Sequence, residues 1–112
     1  MTQERRELKL ADIVENEPVV GIKYDEGKNL LLGQRRQVTF DEVLEAITQG
    51  DMLDDLEHQN SFRYPDQRIL VVQIRSYAYA VPYAIKDGIV FLKTIYPSRS
   101  LTKRYLNGRM SL

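Results

Sequence analysis

The chain contains no cysteine, a single histidine and no excess of either charge over its 112 residues. Without cysteine there is no disulfide scaffold, no thiolate nucleophile and no cysteine-based zinc site. One histidine with scattered carboxylates gives no metal-ligand spacing, so neither a metal nor a cofactor is expected. The six glycines form no G-x-G-x-x-G or phosphate-loop pattern, which removes the common nucleotide cradles. No apolar run approaches the ~18 residues that span a bilayer. The opening residues, MTQERRELKL, lack the apolar centre of a secretion signal, so a cytoplasmic protein without membrane contact is expected.

What remains is a globular profile, with 43% apolar and 29% charged residues and length enough for one domain with a single core. The formal net charge of zero hides an asymmetry. Residues 1–55 carry 13 acidic and 7 basic side chains, a net of −6, and residues 56–112 carry 3 acidic and 9 basic, a net of +6. From Lys93 to Arg109 there are five basic residues and no acid. A one-sided basic half suits a local phosphate site, or the two halves neutralise each other across the fold.

The clearest element is TFDEVLEAITQG. Thr39 is a helix N-cap and Glu42, three residues on, completes a capping box. Phe40, Val43, Leu44 and Ile47 form one buried stripe, and Gly50 ends the helix. Three strand candidates follow at about 68–74, 77–85 and 89–95, joined by a tight turn at Arg75 and Ser76 and another at residues 86–88. They form an antiparallel meander in which Pro82 calls for a bulge or an unpaired edge. Tyr77, Tyr79, Val81 and Tyr83 share one strand face, for core packing or for stacking on bases. A last helix near 98–106 is capped by Ser98, carries the Leu101–Tyr105 pair, stacks Arg99 over Lys103 and ends at Gly108. Residues 19–34 read either as a hairpin turning at Asp25–Gly27 or as a strand, Ile22 to Tyr24, followed by a helix capped by Asp25. Residues 1–17 read as an added arm with Leu10, Ile13 and Val14 as an apolar patch, set off by Pro18 from one α+β domain over 18–112.

Four segments, in order, carry a resemblance. IKYDEGKN at 22–29 is similar to an opening aromatic–Asp–x–x–Lys region, and VTFDEVLEAI at 38–47 to a second helix. The histidine-bearing stretch LEHQNSFRYPDQR leads to an arginine at the start of a strand, and IYPSRSLTKRYL at 95–106 is similar to an Ile–x–x–Arg followed by a basic helix. Together they resemble the BrnT family of type II toxin–antitoxin toxins, over roughly residues 20–106. The resemblance implies a small α+β domain of RelE-like fold, a metal-independent ribonuclease that inhibits translation, and a ribbon-helix-helix antitoxin as partner. Two departures stand out. Where the family often has Lys–His–Gly this chain reads GQRRQ, and its Ser–Ala–Arg is Pro97–Ser98–Arg99 here.

RNA cleavage without a metal uses the neighbouring 2′-hydroxyl as nucleophile, so it needs proton transfer and cations around the phosphorane. His58 is the side chain whose ordinary titration range suits proton transfer; otherwise it is a solvated loop residue. Glu57 orients it, acts as base, or is a surface charge. Arg99, where the last strand meets the last helix, is a phosphate ligand or a surface ion-pair partner. Lys28, Arg63, Lys103 and Tyr105 complete the expected RNA-binding set, each with plain surface exposure or packing as the alternative. Two other functions stay open: a toxin-like module that binds a partner protein without chemistry, and an RNA- or DNA-binding protein that does not cleave.

Overall fold

The computed structural model describes residues 19–110, with the side chains of 19–106. The arm expected over residues 1–17 lies outside the described residues. The fold is α+β. In chain order it runs β1 (Gly21–Lys23), α1 (Glu26–Arg35), α2 (Phe40–Thr48), β2 (Met52–Glu57), β3 (Gln67–Ile74), β4 (Tyr77–Lys86), β5 (Ile89–Leu92), β6 (Tyr96–Pro97) and α3 (Arg99–Met110). The strands form one sheet in the order β1-β5-β4-β3-β2, with β6 also pairing to β4. β1 runs parallel to β5 and every other pairing is antiparallel.

The first half takes the strand-then-helix form. Asp25 caps α1 by accepting the Lys28 N–H at 2.8 Å. Thr39 and Glu42 close the capping box of α2 reciprocally, at 3.3 and 3.0 Å. Asn29 ties the two helices, its Oδ1 accepting the Phe40 N–H at 2.7 Å while its Nδ2 donates to Asp41 at 3.2 Å.

The alternation in YAYAVPYAI sorts the two faces of the sheet, because successive strand side chains point opposite ways. Tyr79, Val81 and Tyr83 face α1 and α2, where Leu32, Val38, Phe40, Val43, Leu70, Val72 and Ile95 make the main core. Ala78 and Val71 face the other way and pack with Leu106 of α3, flanked by Leu53, Leu56, Leu101 and Tyr105. Alanine keeps this second face low, so α3 lies close to the strand. The buried Thr102 hydroxyl accepts the Ala78 N–H at 2.9 Å and donates to the Ser98 carbonyl at 2.8 Å.

Three expectations need correction. The third strand stops at Leu92; its continuation, β6, pairs lower on β4, with four residue steps from Leu92 to Tyr96 matched by three from Tyr83 to Ala80. The extra residue lies between Lys93 and Tyr96, beside the break in pairing expected at Pro82, which itself stays in register with Ile69 while its carbonyl accepts the Lys93 N–H at 2.8 Å. Gly108 does not end α3, which continues to Met110. Finally, the segment expected as loop from residue 56 is already strand through Glu57.

The β3–β4 turn stores strain. Arg75 and Ser76 have φ of 51° and 67°, both left-handed, as a two-residue hairpin of this hand requires. Glycine adopts that geometry without a Cβ clash. Ser76→Gly is therefore expected to stabilise the fold by about 0.5–1 kcal/mol, net of its greater chain entropy. Urea unfolding measures it, and a lower midpoint at unchanged slope contradicts it.

Candidate functional site

The loop from residue 58 to 66 is built around Asn60. Its Oδ1 accepts the Arg63 N–H at 3.2 Å and its carbonyl accepts the Tyr64 N–H at 2.9 Å, which curls the chain back towards His58. The His58 and Tyr64 rings then lie 4.8 Å apart with 39° between planes. The Arg63 guanidinium sits 5.4 Å from the centre of the Tyr64 ring. An imidazole, a phenol ring and a guanidinium are thus gathered by backbone hydrogen bonds within seven residues. Phe62 beside them is 97% exposed.

Nδ1 of His58 accepts the Asn60 N–H at 3.0 Å. A neutral imidazole that accepts at Nδ1 carries its proton on Nε2. As held, the ring therefore offers a hydrogen-bond donor. Accepting a proton at Nε2 requires the other tautomer, which is incompatible with the Asn60 bond. Glu57, the last residue of β2, is exposed and pairs across the ladder with Arg68.

Behind the loop, β2 carries two adjacent carboxylates that are held from the two faces. Asp55 is in an ion pair with Arg68 Nε at 3.1 Å and accepts the Tyr83 hydroxyl at 2.9 Å. Asp54 accepts the Tyr105 hydroxyl from α3. Burial raises the Asp55 carboxyl against the lowering influence of Arg68 and Tyr83. Burial, then Asp55, raises the Tyr83 phenol. Burial, then the hydrogen bond to Asp54, pushes Tyr105 up to about 12. Both phenols stay neutral donors and clamp the edge strand.

These shifts set a pH dependence. A phenol held above its unfolded value keeps its proton longer in the folded chain. Its contribution is full below pH 10 and is lost as pH rises through about 12 for Tyr105. Tyr105→Phe is expected to flatten the loss of stability over that window, measured by urea midpoints across alkaline pH. An identical slope in both proteins contradicts the clamp.

The expected site residues fall into three places. Glu57, His58 and Arg63 lie at the β2–β3 end of the sheet. Arg99 and Lys103 are exposed on α3. That helix starts beside Ala78, whose carbonyl accepts the Ser98 N–H at 3.0 Å. Ala78 and Tyr83 are five positions, on the order of 17 Å, apart on β4, and Tyr83 is in register with Arg68, so the start of α3 and the histidine loop lie towards opposite ends of the ladder. The histidine loop and Arg99 therefore do not form one site, because the meander places them at opposite ends of its ladder. Tyr105 is half-buried, its hydroxyl held by Asp54, which is an anchoring position. Lys28 lies on α1 at the far edge of the sheet, its ammonium donating to the Lys93 carbonyl at 2.8 Å.

Three groups were not singled out in the sequence. Tyr64 packs its ring against His58; the signal was its position six residues after His58 in a proline-stopped loop. Arg68 was visible only as a strand-opening arginine. Lys23 and Lys93, around Phe91, meet through pairing between distant strands. Compared with family models, with curated proteins and with solved structures, the chain matches none. Among the described residues no helix is long and apolar enough to cross a membrane, and no group of histidine or carboxylate side chains could hold a metal.

Proposed function

We propose that the protein is a metal-independent ribonuclease toxin whose site is the 58–64 loop. The observation that carries the reading is the His58–Tyr64–Arg63 cluster. Arginine's planar fork suits a phosphate, an aromatic face suits an unstacked base, and a fixed N–H suits the charge that develops on a phosphorane. In this mechanism the 2′-oxygen bonds to phosphorus and the bond to the 5′-oxygen breaks, leaving a 2′,3′-cyclic phosphate and a 5′-hydroxyl. The Nε2–H of His58 and the Arg63 guanidinium stabilise the phosphorane oxygens. The proton leaving the 2′-oxygen and the one gained by the 5′-oxygen are exchanged with water, to which residues 59–63 are exposed. Arg99 and Lys103 contact the RNA backbone away from the cut. The cytoplasmic setting and the ribbon-helix-helix antitoxin belong to the same proposal and rest on the resemblance to BrnT toxins.

A second reading, RNA binding without cleavage, is favoured by one observation: the histidine and Arg99 sit at opposite ends of the ladder. End-group analysis separates the two. Purified protein with a labelled single-stranded RNA in EDTA is expected to yield fragments ending in a 2′,3′-cyclic phosphate. Bound but intact RNA favours the second reading, and neither binding nor cleavage overturns both.

A further inference from the structure

At the edge of the sheet opposite β2, Lys23, Tyr24, Asp25, Lys28, Phe91 and Lys93 line a groove of about 340 Å³. Three cations converge there against one carboxylate, and that carboxylate is engaged as the cap of α1. Among the described residues the ion pairs are Arg68–Asp55 and Arg75–Glu42, and neither involves these lysines. The Lys28 ammonium holds the Lys93 carbonyl, while the Lys93 ammonium stands 5.9 Å from the centre of the Phe91 ring. A second hollow of about 170 Å³, lined by Lys28, Arg35, Arg36 and Thr94, shares Lys28 with the first. Cations without an ion pair among the described residues, set beside aromatic rings, are the combination that follows a single-stranded nucleic acid, with phosphates on the ammoniums and bases on the rings.

The register connects this groove to the histidine loop. Gln67 pairs with Ala84, Ala84 with Phe91, and Phe91 with Lys23. Arg68, next to Gln67, pairs with Glu57, so His58 falls at the β2 end of the same row. Alternation puts this row on the α3 face, since Ala84 and Gln67 are each two residues from positions in register with the alanine face. Small Ala84 at its middle leaves the row low. Four strand spacings of about 4.8 Å carry it roughly 19 Å across the sheet.

We propose that the Lys23–Lys28–Lys93 groove binds the phosphates of single-stranded RNA whose cut bond lies at His58, with the intervening nucleotides crossing the Gln67–Ala84–Phe91 row. A strand of about four nucleotides fills it, the small end of the range for groove-type single-strand binders. This inference rests on the ribonuclease reading, and its test separates the two.

The probe is a fluorescein-labelled oligouridine methylated at every 2′-oxygen, which cannot be cut, followed by anisotropy across a salt series. Lys23→Gln/Lys93→Gln removes two phosphate contacts from exposed positions. It is expected to weaken binding about tenfold at low salt and to lower the slope of log K against log salt by about 1.4, since each single-strand contact contributes about 0.7. Lys23→Arg/Lys93→Arg keeps the charges and is expected to bind as the wild type does. Unchanged affinity and slope in the glutamine variant, with RNA cleavage intact in the wild type, overturn the groove and leave the ribonuclease standing. No binding of any RNA by the wild type overturns both.

Discussion

His58→Ala is expected to reduce RNA cleavage by about 10²–10³-fold, the usual loss when one preorganised donor to a developing oxyanion is removed. Folding should be little affected. The imidazole is on a largely exposed loop, and it accepts one backbone N–H that water can satisfy after the substitution. The loss is therefore expected in kcat with an unchanged urea midpoint. His58→Gln separates the donor role from proton transfer, because an amide supplies an N–H but does not titrate near neutrality. Recovery of part of the rate in the glutamine variant identifies the donor. Equal cleavage by wild type and His58→Ala removes the loop from the chemistry. The comparison is sharpened by Arg99→Ala, which lies at the other end of the sheet and is expected to raise KM more than it lowers kcat.

Phe40→Ala is the substitution with the largest expected effect on stability. Phe40 is fully buried, its ring stacks on Tyr24 at 4.9 Å, and its N–H is the one capped by Asn29. Truncation removes the stack and leaves a cavity between α1, α2 and the sheet. The cost expected for such a position is about 3–5 kcal/mol, a large share of the ~5–15 kcal/mol that holds a small domain together. Urea unfolding followed by circular dichroism reads it directly. Tyr24 also lines the lysine groove, so Phe40→Leu, which fills most of the space, is the variant in which to ask whether the groove keeps its shape. A loss below about 1 kcal/mol in Phe40→Ala would mean that the site collapses around the smaller side chain and the stack carries little.

Much of the fold was legible because local signals agreed with it. The capping box, the apolar stripe of α2 and the period-two alternation of YAYAVPYAI each named their element, and the turn at Arg75–Ser76 appears where expected. The first half stayed ambiguous because Ile22 to Tyr24 is too short to declare its pairing. What decides it is long-range, the parallel contact with β5 and the Asn29 bridge to Phe40 and Asp41. Strand β2 was illegible for a different reason. MLDDLE has two adjacent carboxylates at its centre, residues that strands ordinarily avoid. They are tolerated here because Tyr83 and Tyr105 reach them from opposite faces, and neither contact has a local pattern.

The candidate site divides in the same way. His58, Arg63 and Tyr64 come together through a loop closed on itself, so their grouping could be read from the stretch that contains them. Arg99 and Lys28 were placed beside them by chemistry and resemblance, while the ladder register carries them away. The basic groove was hidden because its lysines come from both halves of the chain, and the charge count by halves set Lys23 and Lys28 apart from Lys93.

The central claim is cleavage through the 2′-hydroxyl without a metal. An oligonucleotide that is deoxyribose throughout, except for one internal ribonucleotide, tests it most directly when incubated with the wild-type protein in EDTA. The predicted result is a single cut on the 3′ side of that ribonucleotide, leaving a 2′,3′-cyclic phosphate, with an all-deoxy control left intact. Cutting of the control, or failure to cut at the ribonucleotide by a protein that binds the strand, would contradict the account.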